Sequence, residues 1–193
     1  MAKKAERLGT MAAVKGTMLE AHLEWAGGRL ANIAKDLGPL LAPECATHVT
    51  HPVLPISWIP LRCLVAIDRA IATAVGTNPE AVFLELGRHS ARFNLRGVYK
   101  DFAKSDPHLF FEKQVLLHGR FCNFGKATYE KSGPRSGRIS LLECEEFSPV
   151  FCLSGLGYYE AALEEMKVPG PVRVVESACM CSGDSACACD LSW

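Results

Sequence analysis

Apolar residues recur at helical spacing through the first two thirds of the chain and at strand spacing through the last third. From Val14 to Leu41, the positions Leu19, Leu23, Leu30, Ile33, Ala34 and Leu37 form one apolar stripe, and Gly27-Gly28 divides it into two helices. Pro39 and Pro43 end the run, and a proline-rich connection leads to Pro60. Ser57 is placed to cap a helix to about Val75. Asn78-Pro79-Glu80 supplies an N-cap, a proline at the first position and an acidic first turn for the next, which extends to about Lys104. Asp106-Pro107 opens a shorter helix to about His118.

Beyond Arg120 the texture changes. Phe121 to Tyr129 and Arg138 to Glu145 read as strands joined across Ser132-Gly-Pro-Arg-Ser-Gly137. Ser148-Pro149 leads to a helix over about Gly155 to Met166. In the short strand Pro171-Val-Arg-Val-Val-Glu176, a period of two places Val172, Val174 and Glu176 on one face. After a turn at Ser182-Gly-Asp-Ser185, alternation from Ala186 to Trp193 puts Cys187, Cys189, Leu191 and Trp193 on a common face. Helices followed by β-β-α-β-β predict an α+β fold, with helices packed on one face of a mainly antiparallel sheet. The expected organisation is an N-terminal tail, residues 1–13, and a single domain over 14–193.

Charge narrows the function classes. With 21 basic and 21 acidic residues the chain has no net charge to attract nucleic acid or an anionic membrane. No run approaches the ~20 apolar residues of a membrane span. Met1 to Thr10 lacks the apolar core of a signal peptide, so the expectation is a cytoplasmic protein whose nine cysteines are reduced thiols. There is no dinucleotide fingerprint, phosphate loop or Gly-x-Ser-x-Gly elbow, and Gly155-Leu-Gly157 is too short to bind nucleotide. The expectation is a protein that is not an enzyme. Arg88, Arg92, Arg96, Lys100 and Lys104 recur every four residues and read as a solvated helix face in preference to a phosphate grip. Cys45, His48 and His51 lie in the proline-rich connection and read as loop residues in preference to a second metal site.

The chemistry concentrates at the C-terminus. A carboxylate closing an apolar strand needs a partner, because burying it alone costs several kcal/mol. A hairpin can bring Glu176, Cys179 and Cys187 around one tetrahedral ion with Cys152 as fourth ligand, and zinc suits thiolates and a carboxylate. Two alternatives stand beside that set. Cys179, Cys181, Cys187 and Cys189 would make an all-thiolate site, and buried thiols also pack as small hydrophobes. Cys181 and Cys189 could also act as a redox pair.

Cys152, Gly157-Tyr158, Glu176-x-x-Cys179, Gly183-Asp184, Cys187 and the terminal Asp190-Leu-Ser-Trp193 resemble the 4-vinyl-reductase (4VR) domain, also the sensor of phenol-responsive bacterial activators. The span from Val14-Lys-Gly-Thr17 through Trp58-Ile-Pro60 and Leu86-Gly-Arg88 is similar to a bacterial family of this length that ends in the same domain, here about 120–193. The resemblance implies the ligand-binding fold shared by haem-NO-binding domains and TRAPP subunits, and a homodimer. It also implies a structural Zn2+ held by Cys152, Glu176, Cys179 and Cys187, and a small hydrophobic or aromatic ligand between helices and sheet. His118 falls near the ligand-binding histidine of those sensors, whereas Leu141-Leu142 stand where they carry a tryptophan. The expected function is a non-catalytic, zinc-stabilised sensor that signals to a separate protein partner. The alternative is a dimeric adaptor with no small-molecule ligand.

Overall fold

The computed structural model describes residues 5–9, 11–97, 100–101, 104 and 106–193. Its helices are α1 (Gly16–Gly27), α2 (Ile33–Leu37), α3 (Pro43–Thr50), α4 (Leu61–Val75), α5 (Pro79–Arg96), α6 (Pro107–Leu116), α7 (His118–Phe121) and α8 (Pro149–Glu165). Four starts are fixed by side chains that accept an otherwise unpartnered backbone N–H: Asn32 from Lys35, Asn78 from Glu80, Asp106 from His108 and Leu109, and Ser148 from Val150. Strands β3 (Lys126–Gly133), β4 (Ser136–Leu142), β5 (Arg173–Ala178) and β6 (Cys187–Ser192) form an antiparallel sheet in the order β3-β4-β6-β5. This is the α+β arrangement the sequence predicts.

One apolar cluster fills the space among α1, α3 and α4, with Leu19, Leu61, Leu64 and Ile67 at its centre. A second lies between the sheet and α5, α6 and α8, and contains Leu95, Phe111, Ile139, Leu163, Leu191 and Trp193. Between them α5 and α8 cross closely. A methyl on Gly87 would stand 1.8 Å from the Ser154 carbonyl oxygen, and one on Gly157 would stand 2.0 Å from that of Leu84. Gly157 is therefore a packing glycine of the helix crossing.

Several local expectations change. Helix α5 stops at Arg96 and does not reach Lys104, because Gly97 leaves the helical region at φ −97°, ψ −123°. Arg88, Arg92 and Arg96 face α8 and bond to Glu160, Glu164 and Glu165, with Arg96 Nε at 2.9 Å from Glu165 Oε2. The arginines of the basic stripe thus form a charge ladder between two helices, while Lys104 pairs with Asp101. Ser57 caps no helix; the next residues form β2 (Trp58–Pro60), paired with β1 (Ala13–Lys15).

The proline-rich connection contains α3, and Cys45 on it forms a disulfide with Cys63 of α4, so not every cysteine is a thiol. The stretch read as a tail is partly docked: Arg7 and Phe147 exchange backbone hydrogen bonds of 3.0 and 2.7 Å. The Glu146 carboxylate accepts N–H bonds from Gly9, Met11 and Ala12 at 2.6, 3.3 and 3.1 Å. Among the described residues no helix is long and apolar enough to cross a membrane.

Candidate functional site

A cavity of about 190 Å³ lies where α1, α5, α6, α7 and α8 meet β3 and β4. Its wall is mostly carbon, supplied by Leu95, Phe110, Phe121, Ile139, Leu141 and Phe151. Polar side chains interrupt it, among them Thr17, Asn94, Ser140 and Ser154, and two others stand apart. Ser90 of α5 and Gln114 of α6 line the cavity, and Ser90 Oγ and Gln114 Oε1 are buried without a hydrogen-bond partner in the protein. Most buried polar atoms are satisfied, and leaving one unpaired costs about 1–3 kcal/mol. His118 also reaches the cavity, as the sequence places it, but its Nε2 is hydrogen-bonded to the Phe124 carbonyl at 2.9 Å. Burial pushes the Cys122 thiol up to about 12 and the Tyr159 phenol well above its usual range, so both stay protonated on the wall.

The cysteines gather beside the start of α8. Cys152 comes from its first turn, Cys179 from the residue that follows β5, Cys181 from the 3-10 turn Met180–Ser182, and Cys187 from the start of β6. The turn between the last two strands is shaped by Gly183 at φ 100° and by Asp184, whose carboxylate accepts the Cys179 N–H at 2.7 Å. The sulfurs of Cys152, Cys179 and Cys181 lie within 4.8 Å of one another, and that of Cys187 is 3.5 Å from Cys152.

Hydrogen bonds from the Cys152 thiol to its neighbours hold its proton and push its pKa up. The same bonds draw Cys179 and Cys187 down, against burial and, at Cys179, against the Glu176 carboxylate. Cys152, Cys179 and Cys187 are thus brought together as the sequence suggests, with Glu176 acting on Cys179 and with Cys181 added. Cys189 is not a member. It pairs in register with Glu176 and Ile139, lies in the second core, and is pushed up to about 12 by burial. This separates the all-thiolate set.

Sequence reasoning missed Ser90 and Gln114. The signal was present at Ser90, a polar residue on the same helix face as Leu86 and Gly87, but the basic stripe on α5 drew the attention. His48 and His51 gain no metal set, since Cys45 is bonded to Cys63 and His51 Nδ1 contacts the Thr47 carbonyl at 3.3 Å.

No protein-family model and no curated protein matches this sequence. Solved structures do match in fold. An oxygen-binding H-NOX domain related to soluble guanylate cyclases, in its oxygen complex, aligns with a TM-score of 0.69 at 13% identity, over 92% of this chain and 94% of that one. A structure on haem redox potential and protein-induced porphyrin distortion gives 0.69 at 13%, over 93% and 99%. An H-NOX variant of T. tengcongensis gives 0.68 at 14%, over 92% and 96%.

These neighbours correct two expectations. The resemblance to the 4-vinyl-reductase domain is overturned, since the solved relatives in fold are H-NOX domains and no family model supports it. Structural zinc as the cofactor falls with it: the spacing of Glu176-x-x-Cys179 and Cys187 reports thiols drawn together by a hairpin, while the neighbours are described by haem. At this level of identity the shared property is architecture, and the chain has the fold of the H-NOX domain.

Proposed function

We propose that this chain is a non-catalytic sensor domain whose cavity between helices and sheet binds a small, uncharged, largely apolar molecule of about one ring. Its occupancy would be read by a separate protein partner. The observation that carries this reading is the pair of unpartnered buried atoms, Ser90 Oγ and Gln114 Oε1, in a mostly apolar cavity. A ligand hydroxyl relieves both, because it can donate to the Gln114 amide oxygen, which only accepts, while accepting from the Ser90 hydroxyl. The volume of about 190 Å³ sets the scale. It lies below the ~300–1,000 Å³ of sites for drug-sized ligands, and above the ~150 Å³ apolar cavity that takes up benzene. His118, with Nε2 engaged by Phe124, lines the same wall.

The fold neighbours point to haem, and the residues here do not fit it. Haem needs a free axial donor, room for a macrocycle and partners for two carboxylates. The cavity is small, and among the described residues lining it none is Lys or Arg. Its buried thiol Cys122 and phenol Tyr159 hold their protons, and the bond from His118 Nε2 to Phe124 leaves that imidazole only Nδ1, so the misfit is one of volume and of missing counter-charge.

The test is calorimetric titration with phenol as probe, alongside hemin followed by absorbance. Saturable phenol binding is expected, weakened roughly five- to tenfold in Ser90→Ala and in Gln114→Leu, the worth of one hydrogen bond of about 1 kcal/mol. Hemin should produce no stoichiometric Soret band. Phenol binding equally to wild type and both variants, or stoichiometric hemin uptake, would refute the reading.

A further inference from the structure

The thiol cluster carries a chemistry that ligand binding does not use. Cys152 Sγ and Cys187 Sγ are 3.5 Å apart and belong to elements distant in sequence, α8 and β6. Both side chains are partly open to solvent, whereas Cys179 and Cys181 are each only 2% exposed. A disulfide needs sulfurs about 2.0 Å apart, and at 3.5 Å these two are already in van der Waals contact. The Cys187 sulfur also accepts the Met180 backbone N–H at 3.4 Å, which holds it in place beside Cys152.

We infer that Cys152 and Cys187 are an oxidisable pair that a hydroperoxide converts to a disulfide, tying the first turn of α8 to the start of β6. One sulfur, as thiolate, attacks an oxygen of hydrogen peroxide; the O–O bond breaks and hydroxide leaves, giving a sulfenic acid. The second sulfur then attacks the first, the S–O bond breaks and a second hydroxide leaves. The two thiol protons end in two waters, so two thiols and one peroxide give one disulfide and two waters, with sulfur oxidised and peroxide reduced. The bond fixes one wall of the cavity as well, because Phe151, Ser154 and Gly155 on the same turns of α8 line it. The pairing replaces the Cys181 and Cys189 pair considered from sequence, since Cys189 lies in the second core.

The experiment treats the full chain with stoichiometric hydrogen peroxide, alkylates the remaining thiols and maps non-reduced peptides by mass spectrometry. The expected product is a Cys152–Cys187 linked peptide with loss of two free thiols per chain, both reversed by dithiothreitol. In Cys152→Ser that link should be absent and Cys187 should trap a sulfenic-acid reagent. The wild-type map decides the matter even if the variant folds poorly. No thiol loss, a dominant link between any other pair, or thiols that resist peroxide because a metal ion measured by elemental analysis occupies them would overturn the inference.

Discussion

Helices α5 and α8 approach so closely that a single methyl should be felt across the molecule. At Gly157 an added Cβ would stand 2.0 Å from the Leu84 carbonyl oxygen and 2.9 Å from its carbon, inside the 3.0 Å that real Cβ contacts essentially never breach. The obstacle is backbone, which cannot rotate aside as a side chain would. The helices must therefore part by about 1 Å, loosening both the core beneath and the charge ladder from Arg88 to Glu165. Overpacking costs about 1–3 kcal/mol, and a clash with backbone belongs near the upper end. Alanine regains about 1 kcal/mol of helix propensity, so Gly157→Ala should lose about 2 kcal/mol net. In a chain of this size that lowers Tm by about 4–8 °C. Urea unfolding measures the loss, with Gly27→Ala as control. Gly27 is the last residue of α1 and nothing lies within 4 Å of its added Cβ, so the control should be unchanged or gain up to about 0.5 kcal/mol. A Gly157→Ala protein as stable as wild type would show that the helices do not cross as described.

Three further outcomes follow from individual contacts. Replacing Cys45 and Cys63 together by Ser should cost about 3 kcal/mol in urea unfolding, since their bond closes a loop spanning 18 residues; an unchanged midpoint would sink this. The Arg96 guanidinium beside Glu165 holds its carboxyl below the usual carboxylate range. A carboxylate lowered on folding stabilises above its unfolded pKa of about 4.3 and loses that contribution as pH falls through the folded value. The stability difference between wild type and Glu165→Gln should therefore be present near neutral pH and shrink in acid, and a difference undiminished at roughly pH 2 would contradict it. Asp106→Ala removes the cap that accepts the His108 and Leu109 N–H groups at 2.9 and 3.3 Å. It should cost about 1 kcal/mol by thermal unfolding, and equal stability would count against the cap.

The elements whose evidence is local were readable from the chain. The apolar stripe from Leu19 to Leu37, the Asn78-Pro79 and Asp106-Pro107 starts, and the alternation through β6 all act over a few residues, so spacing alone reveals them. Strands β1 and β2 carry three residues each, too few for alternation to register, and exist because each supplies the other's hydrogen bonds. The C-terminal thiols Cys152, Cys179, Cys181 and Cys187 lie together, yet the family and the zinc inferred from the Glu176-x-x-Cys179 and Cys187 spacing did not survive comparison with solved structures.

The sequence by itself determined which faces are apolar, the Asn78 and Asp106 helix starts, and that an α+β domain results, because each depends on near neighbours along the chain. Only the tertiary structure decided what stands opposite those faces. It set Glu160, Glu164 and Glu165 against the arginines, Cys63 against Cys45, and Leu84 against Gly157. It also left Ser90 and Gln114 facing an apolar cavity with no partner of their own. These are contacts between residues tens of positions apart, and no local period records them.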